Sequence, residues 1–200
     1  MTKFNIQTED LKYIMAALKP AIAKTDSIPE HQCIKFECKE GILSAFSTDG
    51  YRIHSVSVHI DITDGKDCFS FLLNPFTIPS VKTSFVPCEL TEKEIMFNFG
   101  EMKIAFKVNN NVSSHFDVNS VIPEDPAVFR IAFNPKYLAD AAKSFKCDGR
   151  TPVILEFRTP LQPALLYNQN DKTDFRLIWP VRMRNREGWG TAFPGRNENA

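Results

Sequence analysis

The chain has 200 residues, 43% of them hydrophobic and 24% charged. That composition fills a real core and excludes a disordered or collagen-like chain. Lys+Arg and Asp+Glu are each 24, so any grip on nucleic acid needs its cations sorted onto one face rather than supplied in bulk.

In chain order, Phe4-Asn5-Ile6 is a short alternating strand. Thr8 stands at an N-cap position with Glu9 and Asp10 in the first turn of a helix. Leu11, Ile14, Met15, Leu18 and Ile22 follow at helical spacing, and Pro20 predicts a kink or an early end. Cys33–Cys38 and Ile42–Ser47 read as strands separated by Gly41. After the turn Thr48-Asp49-Gly50, Tyr51–Ile60 alternates again. Asp61, Asp64 and Asp67 around Gly65 read as a solvated turn.

The order then recurs. Phe69–Leu73 is a strand, and Asn74-Pro75 opens a short helix through Ile78, Val81 and Phe85. Glu94–Phe99 and Met102–Val108 form a hairpin at Gly100-Glu101. In the third copy Phe129–Phe133 is a strand, and Asn134-Pro135 opens a helix carrying Leu138, Ala141, Ala142 and Phe145. Val153–Phe157, Ala164–Tyr167 and Phe175–Trp179 are strands. Asn74-Pro75 aligns with Asn134-Pro135, and Thr8 with Pro135. Three copies of strand, helix and further strands imply an α+β protein with antiparallel sheets covered on one face by a few helices. Residues 184–200 read as a loose tail.

The chemistry is sparse. The 8 glycines form no G-x-G-x-x-G and no G-x-x-x-x-G-K. The five cysteines, Cys33, Cys38, Cys68, Cys88 and Cys147, show no zinc spacing and read as reduced, mostly buried thiols of a cytoplasmic protein. His31, His54, His59 and His115 are scattered, and no catalytic constellation or cofactor site is legible. An enzyme, such as a small cysteine or metal hydrolase, is the least supported class. The first 15 residues do not read as a signal peptide, and no apolar run is long enough to span a membrane. Lys12, Lys19 and Lys24 on the first helix, Lys82 on the second, and Lys136, Lys143 and Lys146 on the third, with Arg150 just after, form a positive strip if the helices share a surface. Such a strip touches phosphates without reading bases.

Four motifs in order point to one family. Thr48-Asp49-Gly50-Tyr51-Arg52-Ile53 resembles the T-D-G-[HY]-R-[LI] turn in the middle domain of the β sliding clamp of bacterial DNA polymerase III. Phe116–Pro123 resembles the stretch closing that domain. Phe133–Ala141 resembles the F-N-P-x-Y-L-x-D-A helix of the clamp's last domain, and Ile178–Met183 its C-terminal M-P-[MV]-R-[LM]. The resemblance implies a clamp domain over residues 1–125 in two units and a half domain over 126–183, before the 184–200 tail. The clamp's first domain and half of its last have no counterpart.

The resemblance also implies a function: a non-enzymatic processivity factor that contacts duplex DNA without sequence specificity. It would bind the short linear motifs of replicative or repair polymerases and the clamp loader. The implied peptide pocket uses Thr48, Gly50, Tyr51, Arg52 and Ile53, then Val121, then Leu177, Trp179, Pro180, Val181 and Met183. Trp179 stands where the family has Met, and Phe116 where it has Pro. Unpaired sheet edges imply a homo-oligomer, and a tetramer restores the unit count of a complete ring. The alternative is a monomeric peptide-binding adaptor that does not encircle DNA.

Overall fold

A computed structural model describes residues 1–25, 28–108, 118–123, 125–146 and 151–182. His115, Phe116, Cys147, Arg150, Met183 and the 184–200 tail lie outside the described residues. The described residues fall into two compact units, residues 1–122 and 123–182.

Unit 1 begins with β1 (Thr2–Gln7) and α1 (Thr8–Leu18), followed by β2 (Ile34–Lys39), β3 (Ile42–Thr48), β4 (Ile53–His59) and β5 (Asp61–Asp64). Its second half supplies β6 (Cys68–Leu73), β7 (Phe85–Leu90), β8 (Glu94–Asn98) and β9 (Lys103–Lys107). All pairings are antiparallel, in two sheets ordered β4-β3-β2-β6 and β5-β1-β7-β8-β9. The two halves therefore trade first strands. β6, which opens the second half, lies on β2 of the first, and β1, which opens the first half, lies on β7 of the second.

Alternation along these strands sends Phe4, Ile6, Ile34, Phe36, Phe71, Leu73, Val86 and Cys88 into one core with Leu11, Ile14 and Leu18 of α1. Phe36 and Phe71, directly paired across the strands, stack at 4.9 Å. Burying each such side chain contributes about 1.5–3 kcal/mol.

Unit 2 holds α2 (Pro135–Lys143) and an antiparallel meander of β10 (Val153–Glu156), β11 (Ala164–Asn168) and β12 (Asp171–Ile178). Its small core joins Phe145, Ala164, Leu166 and Ile178, with Phe133, Leu138, Ala141 and Val153 packed against them. Asn134 caps α2 by accepting from Lys136 N–H at 2.9 Å, and Pro135 sits at a position where its missing N–H is not needed.

Several sequence expectations are corrected. No helix forms over Ile78–Phe85: the segment after β6 is irregular, and Phe85 opens β7, which the helical reading hid. Two prolines, Pro75 and Pro79, leave too little uninterrupted chain there for a helix. The described residues thus hold two of the three expected helices, and Lys82 is not on one. Thr8 is not the N-cap; that position is Gln7. Thr8 instead donates its hydroxyl to Thr83 O at 2.6 Å and its N–H to Ser84 O at 2.9 Å, tying the helix start to the chain before β7.

Phe129–Phe133 is irregular chain that belongs to no sheet among the described residues. Asp61–Asp64 is not a free turn but a strand on β1. Gly65 follows it at φ +96, where an added Cβ would lie 2.6 Å from Met1 O. Of the four described cysteines only Cys38 and Cys88 are buried, and burial pushes the Cys88 thiol far up.

Candidate peptide-binding groove

Thr48 ends β3 and Ile53 opens β4 directly opposite it. The four residues between them reverse the chain through side-chain acceptors. Thr48 Oγ1 accepts from Gly50 N–H at 3.1 Å. Asp49 Oδ1 accepts from Tyr51 N–H at 3.1 Å and Arg52 N–H at 3.2 Å, and Asp49 Oδ2 holds Arg52 Nε at 2.9 Å. Desolvation raises the Asp49 carboxyl, but the Tyr51 N–H and the Arg52 guanidinium outweigh it and leave its pKa below the ordinary value. Gly50 has φ +84 with open space where a Cβ would sit, so the position asks for glycine's backbone freedom and not for its small size. Tyr51, 98% exposed, stands clear of the turn.

The same hairpin receives the end of α1. Ser47 Oγ donates to Leu18 O at 2.7 Å, and His54 Nδ1 meets Ala17 O at 2.7 Å. The carbonyl can only accept, so Nδ1 carries the proton. Ser47 and His54 are a cross-strand pair, which explains how two side chains from adjacent strands satisfy two consecutive helix-end carbonyls. After α1 the chain tightens into a 3₁₀ turn over Lys19–Ala21, with Pro20 ending the helix as its sequence predicts.

An open groove of about 1300 Å³ results. One wall is Lys19, Pro20, Ile22 and Ala23; another is Asp49–Arg52; Ile28, His31 and Pro75 close the rest. Of the expected pocket residues, Gly50, Tyr51 and Arg52 line this groove; Thr48 is buried behind the turn and Ile53 is half-buried at its root. Lys19 and Lys24, read from sequence as phosphate contacts, line the same groove. The sequence reading missed Pro20, Ile22, Ile28 and His31 as lining residues. Pro20 was the only one with a legible signal, because a helix broken just before the turn must leave a gap beside it.

The other expected residues are not among those that line this groove. Val121 is exposed at the end of a 3₁₀ turn, Val118–Val121. In unit 2, Leu177 faces away from Ile178 and the core, beside Leu165 on β11. Trp179 is 65% exposed, Pro180 half-buried, and Val181 exposed with its N–H given to Ala132 O at 2.8 Å. Among the cations, Lys12 is held by Glu9 at 2.8 Å, and Lys82, Lys136, Lys143 and Lys146 are exposed. Among the described residues no group of His, Cys, Asp and Glu is placed to hold a metal ion, and no helix is long and apolar enough to cross a membrane.

Comparison with solved structures decides the fold. A β clamp of Helicobacter pylori bound to a DNA ligase peptide matches with TM-score 0.67 and 14% identity, over 90% of this chain and 50% of that one. The sliding clamp of Bacillus subtilis matches with TM-score 0.64 and 15% identity, over 91% and 64%. This chain has the sliding-clamp fold. The DNA polymerase III beta chain of Streptococcus pneumoniae also matches, with TM-score 0.63 and 15% identity, over 90% and 54%. The matched region spans about 50–64% of the length of these clamps. No protein-family model and no curated protein matches the sequence.

Proposed function

We propose that this chain is a non-enzymatic, sliding-clamp-like processivity factor. It holds replication or repair polymerases and a clamp loader through short linear motifs, and it touches duplex DNA without reading sequence. The observation that carries the reading is the groove beside Thr48–Ile53, an open cleft with apolar and cationic walls at the family's T-D-G-Y-R turn, in a fold whose Helicobacter pylori example was solved with a DNA ligase peptide. In this reading the peptide's apolar pair is buried against Ile53 and Val121. Its flanks meet Thr48, Gly50, Tyr51 and Arg52, and the resemblance assigns Leu177, Trp179, Pro180, Val181 and Met183 to the same ligand. Lys12, Lys19, Lys24, Lys82, Lys136, Lys143, Lys146 and Arg150 supply phosphate contacts.

Calorimetry with a peptide carrying Gln and a Leu-Phe pair tests the pocket. The expected affinity is roughly micromolar, because a short flexible peptide loses much freedom on ordering. Ile53→Asp should weaken binding about tenfold to hundredfold by placing a charge where the peptide is buried. Tyr51→Ala, on a side chain that supports no packing, and Val181→Asp test the turn and the C-terminal segment separately. Lys66→Asp should change little. Wild-type affinity in all the pocket variants would overturn the reading.

For DNA, changing Lys12, Lys19, Lys143 and Lys146 to Glu should abolish salt-sensitive retention on circular duplex DNA. Retention unchanged in that variant would place any DNA contact elsewhere. The alternative is a monomeric adaptor that binds the same peptides without encircling DNA.

A further inference from the structure

The strand exchange inside unit 1 gives a rule that unit 2 leaves half-satisfied. In unit 1 each three-strand meander is completed by the first strand of the other half. Leu73 and Phe71 of β6 lie opposite Ile34 and Phe36 of β2. Ile6 and Phe4 of β1 lie opposite Val86 and Cys88 of β7. In both cases a buried residue directly before the segment that follows the first strand meets the first core residue of the meander. Unit 2 has the meander β10-β11-β12 and a matching first segment, Phe129–Phe133, set before the Asn134 cap as Leu73 is before Asn74 and Ile6 before Gln7.

One edge of that segment is occupied as in unit 1. There β1 pairs with β5, the continuation of its own meander, through Asn5 and Asp61. Here Ala132 O accepts from Val181 N–H, just beyond β12. The other edge, which in unit 1 meets the opposite half, has no partner among the described residues, and neither has the outer edge of β10.

Burial records the same omission. Phe36 and Cys88, completed by a fourth strand, are 2% and 1% exposed, whereas the equivalent Leu155 is 43% exposed. Phe157, equivalent to the buried Cys38 and Leu90, is 40% exposed, and Phe129 is 45% exposed.

We propose that unit 2 is completed by unit 2 of a second copy of this chain, each giving Phe129–Phe133 as an antiparallel fourth strand to the other's β10. The register carried from unit 1 puts Phe133 opposite Val153, Ile131 opposite Leu155 and Phe129 opposite Phe157. The apolar positions then coincide on the core face. On the other face Arg130 falls opposite Glu156, whose carboxylate already accepts from Tyr167 Oη–H at 2.7 Å and Arg158 Nη2 at 3.3 Å and gains a second guanidinium beside it. The exchange is reciprocal, so the interface is isologous and closes as a two-fold dimer. This inference rests on the fold and not on the peptide or DNA reading.

Sedimentation of the full chain over roughly 1–100 µM should show a monomer passing to an associated species, and Leu155→Lys should weaken that association roughly tenfold or more. Leu161→Lys, in an exposed loop of the same unit, should not. The register is read independently in a Cys33→Ser, Cys68→Ser, Cys147→Ser background. Mixing Ile131→Cys chains with Leu155→Cys chains should give a disulfide-linked pair on oxidation, and mixing Ile131→Cys with Ile154→Cys should not. A chain that stays monomeric, an association untouched by Leu155→Lys, or a cross-link without register preference each overturns the proposal. A monomer would leave the edge of β10 for a strand of another protein.

Discussion

The two helices begin alike and end in different surroundings. α1 buries Thr8, Leu11, Ile14, Met15 and Leu18, while α2 buries no residue fully. Both carry an apolar stripe, and α2 has the better cap, with Asn134 accepting from Lys136 N–H where Gln7 makes no side-chain cap bond. Capping and pattern therefore do not decide burial. α1 shares one core with both four- and five-stranded sheets, whereas Leu138 and Ala141 of α2 meet a single three-stranded one. Tertiary cover, more than helix propensity, separates the two.

The largest expected effect sharpens this contrast. Leu18→Ala, at a fully buried site, should destabilise unit 1 by about 2–5 kcal/mol through lost burial and a residual cavity. Leu138→Ala, half-buried on α2, should cost unit 2 about 1 kcal/mol or less. Denaturant unfolding separates the units because residues 1–122 contain no tryptophan, so indole fluorescence follows the rest of the chain and far-UV circular dichroism reports both. Equal losses would break the comparison.

Next, Ser47→Ala should cost about 0.5–1.5 kcal/mol, because it removes one buried hydroxyl donor from Leu18 O, which keeps its 3₁₀ bond. Shape is nearly conserved, so a change below a few tenths would show that the α1 end is held by packing alone.

Close behind is the turn. Gly50→Ala should cost about 1 kcal/mol for the left-handed backbone and nothing for space, since no atom lies within 4 Å of the added carbon. Asp49 contributes through pH. Its folded pKa lies below the ordinary 3.8. Its stabilisation is therefore complete above the unfolded value and is lost as pH falls through the lower folded value. Asp49→Asn should flatten the acid limb of a stability–pH curve below about pH 4 and leave the neutral limb's shape unchanged. An unaltered acid limb would show that other carboxylates carry it.

These contrasts also mark what was legible in the sequence. The alternation in Cys33–Cys38, Ile42–Ser47 and Glu94–Val108 places strands correctly because one face of each is buried. Asn134-Pro135 marks a helix start because both residues suit that position locally. The same Asn-Pro pair misleads at Asn74-Pro75, where Pro79 and the demand for β7 on β1 override it. Phe129–Phe133 has the pattern of a strand but joins its unit only through Ala132 O and Val181 N–H and enters no sheet among the described residues, which a local pattern cannot reveal.

The groove was half visible. Thr48–Ile53 announces itself through turn chemistry, whereas Ile22, Ile28 and His31 reach it through Ser47 and His54, which hold the end of α1, and through the Ala23 N–H bond to His31 O. That anchoring depends on pairing between residues distant in sequence.

The claim that unit 1 is closed and unit 2 open is tested most directly by amide hydrogen exchange on the intact chain at two concentrations. The amides of β2 and β7, covered on both edges, should exchange slowly and equally in dilute and concentrated samples. Those of β10 that point away from β11, with those of Phe129–Phe133, should exchange fast when dilute and become protected as concentration rises. Protection of β10's outer amides that is already full in the dilute chain would contradict the account.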